Sequence, residues 1–174
     1  MSIRVTDYQP VFADPSYYCG PGPALIVGDD GKMTVCFRRV LSWLTEGFAS
    51  HWHPATETCL THSTDAGRHW TDPTTFLAGH QCPNLRRLSS GVWLHHTHRF
   101  ELVTDAIEKQ IVDRTGGSLS KGWWPGIQRG TSVHLSKDQG AHWSEPVYLD
   151  HVPGIPARHA LLHAPVAVRG NVLQ

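Results

Sequence analysis

The chain has 174 residues, with 15 Lys+Arg against 15 Asp+Glu and a formal net charge of zero. That balance lacks the basic excess expected of a nucleic-acid or anionic-membrane binder, and no apolar run approaches the roughly 20 residues of a membrane helix. The length suffices for one domain with a real core, and the 7 Trp and 13 His suit either a sugar-binding cleft or a tightly packed β-protein.

The N-terminal run MSIRVTDYQP has no apolar signal region. The default expectation is therefore a soluble, cytoplasmic chain. Next come short apolar or alternating stretches bounded by turn residues, as expected of strands. Ala24–Val27 is apolar, and Asp29-Asp30-Gly31 is a turn signal. Residues 32–37 alternate, and 56–61 and 74–77 read as the third and fourth strands. A second set follows: 84–88, a turn at Ser89-Ser90-Gly91, then 92–97, 131–135 and 146–149. Pro146 opens the last of these, a position where proline is tolerated. A third set begins at 164–168 and turns at Arg169-Gly170-Asn171. The cysteines Cys19, Cys36, Cys59 and Cys82 form no C-x-x-C pair, and their spacing fits no zinc framework. Cys36 and Cys59 sit in strand-like stretches and read as buried free thiols.

The strongest signal is internal repetition. Ser63-Thr64-Asp65-Ala66-Gly67-Arg68-His69-Trp70-Thr71 and Ser136-Lys137-Asp138-Gln139-Gly140-Ala141-His142-Trp143-Ser144 share one pattern, S-x-D-x-G-x-H-W-[ST]. The Asp can accept backbone N–H bonds from the turn that follows it. The Gly can take φ > 0 without steric cost. The Ser hydroxyl adds a local hydrogen bond, and the Trp folds back to bury apolar surface. The structural Asp-box residues are thus Ser63, Asp65, Gly67, Trp70, Ser136, Asp138, Gly140 and Trp143. The motif resembles the Asp-box (BNR) repeat of the sialidase superfamily.

The resemblance covers most of the chain, from about Gly22 onward. It implies an all-β fold: a partial β-propeller of two to two and a half four-stranded antiparallel blades, out of a probable six. Residues 1–174 would form one incomplete propeller domain, with blade one at about 22–78, blade two at about 84–149 and the start of blade three at about 164–174. Further blades would lie outside the chain, which reads as a fragment. A meander places the tight turns and Asp boxes at one end and the long loops at the other. Long loops on a rigid scaffold are the usual seat of function. The segment 38–55 carries Arg38, Arg39, Trp43, Glu46, His51, Trp52 and His53. The segment 98–130 carries His98, Arg99, Glu101, Trp123 and Trp124. The inter-blade links add His80, Gln81, Arg158 and His159.

This mixture of cations, aromatics and carboxylates suits a glycan or other sugar-containing substrate. The ligand-binding candidates are Arg38, Arg39, His51, His53, Arg99, Trp123, Trp124 and Arg158, with Glu46 as the catalytic acid candidate. Arg38 and Arg39 are read either as ligand cations or as solvated strand-end charges. Trp123 and Trp124 either stack on a sugar or close the core. His is spread along the chain, so no metal or other cofactor is expected.

In sialidases an arginine triad binds the sialic acid carboxylate, a Tyr–Glu pair supplies the nucleophile and an Asp is the acid/base. Here the segment that would carry the first arginine is Cys19-Gly20-Pro21-Gly22-Pro23, and the loop expected to carry the Asp has only Glu46. The expectation is a sialidase-like glycoside hydrolase fragment, inactive as this chain alone. The alternatives are a non-catalytic Asp-box propeller that binds a carbohydrate or protein, or a remnant with no function of its own.

Overall fold

The computed structural model describes residues 8–20, 22–45, 55–102, 126–148, 168–169 and 172–173. They form an all-β structure of two antiparallel sheets plus a two-stranded hairpin. The first sheet contains β1 (Tyr17–Cys19), β2 (Ala24–Val27), β3 (Met33–Leu41), β4 (Glu57–Ser63) and β5 (Thr74–Ala78). The second runs in the order β6 (His80–Arg87), β7 (Trp93–Leu102), β8 (Gly126–Ser136), β9 (Val147–Tyr148). The hairpin pairs β10 (Val168–Arg169) with β11 (Val172–Leu173), where the third repeat was expected to turn. No helix among the described residues is long and apolar enough to cross a membrane.

The two sheets share one plan. β2 joins β3, and β6 joins β7, through a tight turn ending in a left-handed glycine, Gly31 at φ 79° and Gly91 at φ 82°. Gly28 donates to the Lys32 carbonyl at 2.8 Å, and Leu88 donates to the Val92 carbonyl at 2.8 Å. Met33 pairs with Ser63 in the first sheet, and Trp93 pairs with Ser136 in the second. The serines that open the repeated motif therefore hold the same register position in both.

The strands run longer than their sequence signals. β3 extends to Leu41 and β7 to Leu102, while β8 begins at Gly126. Arg38, Arg39, His98 and Arg99 thus belong to strands rather than to the loops that the sequence suggested. The added length has little β-branched or aromatic signal and is held as strand by cross-strand pairing, Arg38 and Arg39 with Thr58 and Glu57 and Phe100–Leu102 with Gly126–Gln128. β1 was not foreseen at all. It pairs with Arg39–Leu41 on the same edge of β3 that β2 uses further along. The prolines and glycines between Cys19 and Ala24 disguise this as a loop. In the second sheet the equivalent interruption is a bulge between Gln81 and Asn84, where Cys82 has φ 54°. Pro83 sits in that bulge, where no ladder donor is needed.

Alternation along each strand decides what meets what. On the face of the first sheet toward the second, Ile26, Cys36 and Leu60 join Leu85 and Trp93 in one core, with Phe76 and Trp143 packed against it. The opposite face buries Val35, Phe37 and Cys59 beneath Val11, Phe12 and Trp70. Phe12 lies 5.4 Å from Phe37 and meets Tyr17 edge-on at 5.9 Å. A bidentate Arg87–Asp29 pair ties β6 to the first sheet's turn.

Candidate functional site

The repeated turns are built as their composition demands. Ser63 Oγ donates to Asp65 Oδ1 at 2.8 Å and accepts from the Gly67 N–H at 2.9 Å. Asp65 also accepts from the His69 backbone N–H at 2.9 Å, and its second oxygen meets His69 Nδ1 at 2.6 Å. The second copy repeats each bond: Ser136 to Asp138 at 2.8 Å, Gly140 N–H to Ser136 at 2.8 Å, His142 N–H to Asp138 at 2.9 Å and His142 Nδ1 to Asp138 at 2.6 Å. The His142 backbone N–H, then the His142 ring and the Ser136 hydroxyl, hold the Asp138 carboxyl down at about 2. Asp65 is lowered in the same way, first by the His69 backbone N–H. Gly67 and Gly140 take φ 85° and 92° as expected, and Ala66 and Gln139 join them at 59° and 58°. These carboxylates are consumed by their own turns.

The tryptophans of the two turns diverge. Trp70 Nε1 donates to the Gly67 carbonyl at 3.0 Å, and its ring covers the outward face of the first sheet. Trp143 stacks on Phe76 of the first sheet at 4.9 Å. Each ring lies on the face that precedes its own sheet.

The opposite end carries the chemistry. There β3 leaves the sheet and β4 enters it, and the same antiparallel order puts the β5–β6 link and the exit of β7 at this end. Arg39 and Glu57 are cross-strand partners. Arg39 Nε donates to Glu57 Oε2 at 2.8 Å. Thr75 Oγ1 donates to the same oxygen at 3.1 Å, and Cys59 Sγ lies 4.0 Å from it. The guanidinium sits over the Tyr17 ring at 4.3 Å and the Phe12 ring at 5.4 Å. Burial works against the Arg39 charge, but the Glu57 hydrogen bond and the charges of Cys59, Glu57 and Tyr17 outweigh it and raise its pKa. A held cation, an oriented carboxylate and an aromatic face thus share one partly open rim.

Arg38 points the other way. Alternation along β3 sends it to the inter-sheet face, where it is 3% exposed. Its guanidinium fills the space above Gly20, where an added Cβ would lie 2.0 Å from Nη2. Burial lowers its pKa, while Cys82 and Tyr18 oppose the shift. The structure therefore separates the two neighbouring arginines, leaving Arg39 at the rim and Arg38 inside. The buried position corrects the picture of Arg38 as a solvated strand-end charge.

Of the other candidates, Arg99 lies on β7 opposite His80. Glu46, His51, His53, Trp123, Trp124 and Arg158 lie outside the described residues. Sequence inspection missed Glu57 and Thr75, because each reads as an ordinary strand residue, and Tyr17, because its strand β1 was not foreseen. Anchoring the β3–β4 register on the Ser63 turn would have placed Glu57 beside Arg39.

The cysteines are free, with Cys36 and Cys59 buried as expected. Burial is the largest influence on all of them, and each thiol pKa is raised. None is an activated thiolate. Among the described residues, no group of three or more His, Cys, Asp or Glu is arranged to hold a metal ion.

No family model matches the chain, and no curated protein matches it. A solved structure of a protein of unknown function from Dyadobacter fermentans DSM 18053 is similar, with a TM-score of 0.64 at 22% identity. The likeness covers 81% of this chain and 39% of that one, so the chain spans about two fifths of its length. At this identity the likeness speaks for the fold alone.

Proposed function

We propose that this chain forms two successive blades, with the start of a third, of a sialidase-like β-propeller, and that the rim around Tyr17, Arg39 and Glu57 helps to hold a glycan. One observation carries this reading. Both sheets put the serine–aspartate turn at one end and send the longer insertions from the other, where Arg39 and Glu57 lie. The greater length of the similar Dyadobacter structure fits a chain that supplies only some of the blades.

Binding is favoured over hydrolysis by how Glu57 is engaged. Its Oε2 accepts from both Arg39 and Thr75. A side chain oriented in this way is placed to hydrogen-bond sugar hydroxyls. Arg39, held charged beside an aromatic face, suits an anionic sugar. Hydrolysis by the whole propeller is the second reading, and it rests on the family resemblance.

Calorimetric titration with a sialylated trisaccharide and its neutral counterpart tests the proposal. The chain should bind the sialylated sugar without cleaving a fluorogenic sialoside. Arg39→Ala should weaken binding about tenfold or more, since a hydrogen bond from a charged group contributes about 1.5–3 kcal/mol. Absence of binding to both sugars would overturn the glycan reading. Turnover by this chain would replace it with the hydrolase.

A further inference from the structure

The two sheets meet along a seam rich in imidazole. His95 on β7 and His134 on β8 are cross-strand partners, and their rings lie 5.8 Å apart. His80 on β6 continues the column, 6.4 Å from His134. Its Nδ1 donates to the Ala78 carbonyl at 2.7 Å. The first sheet contributes Phe76, which meets His95 edge-on at 5.1 Å and stacks on Trp143. Trp143 lies 5.8 Å from His95.

The seam is buried at His95 and His134 and poorly satisfied. His95 is 0% exposed. Among the described residues, neither of its ring nitrogens nor Trp143 Nε1 finds a partner of good hydrogen-bond geometry, and the Asn84 backbone is the one polar main-chain group that acts on the His95 ring. His134 Nε2 has Ser132 Oγ at 3.2 Å. Little charge faces the column. β5 brings none. Lys32 and His62 of the first sheet line the adjoining cleft, with Asp138 of the second turn. Glu145 is the acid that acts on His134, and His96 adds to the positive side at His95.

We propose that the His80–His134–His95 column is an acid-release seam. Neutral imidazoles pack the two sheets together, and protonation parts Phe76 from Trp143 and His95. A charge on His95 would be buried without a counter-ion, which proteins avoid by staying neutral or by opening. Burial pushes the His95 pKa well below its ordinary value, and His134, His96 and His80 add to this, with the Asn84 backbone opposing. His134 is lowered too, by burial first and then by His80.

The sign follows from linkage. Unfolded imidazoles take protons near pH 6.5, whereas the folded ones resist. The unfolded state therefore binds more protons as pH drops below about 6.5, and stability falls. The seam's contribution is fully present above that pH. An imidazole kept neutral well below pH 6.5 lowers the folding constant about tenfold per pH unit, which is the expectation for His95, and His134 adds to the loss in the same direction.

Urea unfolding of the full chain at pH 7.5 and 5.5, with histidine ring NMR, tests this. His96, held at about 4 chiefly by burial, adds its own pH dependence. The readout is therefore the difference between variants and the parent chain. His95→Phe should recover about tenfold of the loss at pH 5.5, and His134→Gln a smaller part of it in the same direction. If His95→Phe fails to fold, His134→Gln carries the test. Variants that lose stability with pH as steeply as the parent, or a His95 ring that titrates near pH 6.5 in the folded chain, would overturn the seam.

Discussion

Arg38 and Arg39 adjoin in sequence, yet the pleat of β3 gives them opposite fates. Arg39 reaches the rim and pairs with Glu57, while Arg38 turns inward over Gly20. Two neighbouring cations read alike in a sequence, because strand alternation says that they part without saying which faces the core. Gly20 offers the cleanest test at this scale. Its φ is not left-handed, so Gly20→Ala acts through the clash alone. The substitution should drive the Arg38 guanidinium from its slot and destabilise the fold by about 1–3 kcal/mol, as for other overpacked interiors. Thermal unfolding should show the loss, and Gly20→Ala with Arg38→Met should restore part of it.

The repeated turn is the element that the sequence made most legible. Its Ser, Asp and Gly hold the positions that their side chains suggested, because local hydrogen bonds close the turn without help from distant residues. β1 and the far ends of β3, β7 and β8 were hidden, because their pairing is tertiary and prolines masked the signal. The rim was half legible: Arg39 was singled out, but Glu57 gains meaning only through cross-strand register. Two left-handed glycines separate local strain from packing. At Gly91 an added Cβ meets nothing within 4 Å. At Gly140 it would lie 2.8 Å from Leu60 Cδ1 of the other sheet and 3.3 Å from the Trp93 ring. Gly91→Ala should therefore cost about 1 kcal/mol of backbone strain. Gly140→Ala should cost about 1–3 kcal/mol more, since it also pushes the sheets apart. Equal losses in denaturant unfolding would contradict this account of the sheet contact.

At the scale of the molecule, one plan recurs twice, and the contact between its copies is directional. Trp143 of the second turn packs on Phe76 of the first sheet, while Trp70 of the first turn covers that sheet's outward face together with Val11 and Phe12. This offset is what successive blades around an axis require, and it supports the propeller reading. It also explains why the Arg39–Glu57 rim and the repeated turns occupy opposite ends: antiparallel strands send alternate connections to alternate ends. The central claim is that a glycan meets the Tyr17–Arg39–Glu57 rim and not the turns. The most direct measurement is an NMR titration of the full chain with a sialylated trisaccharide. The account predicts shifts at Tyr17, Arg39, Glu57 and Thr75, with His69 and His142 unmoved. Shifts confined to His69 and His142, or none at saturating sugar, would contradict it.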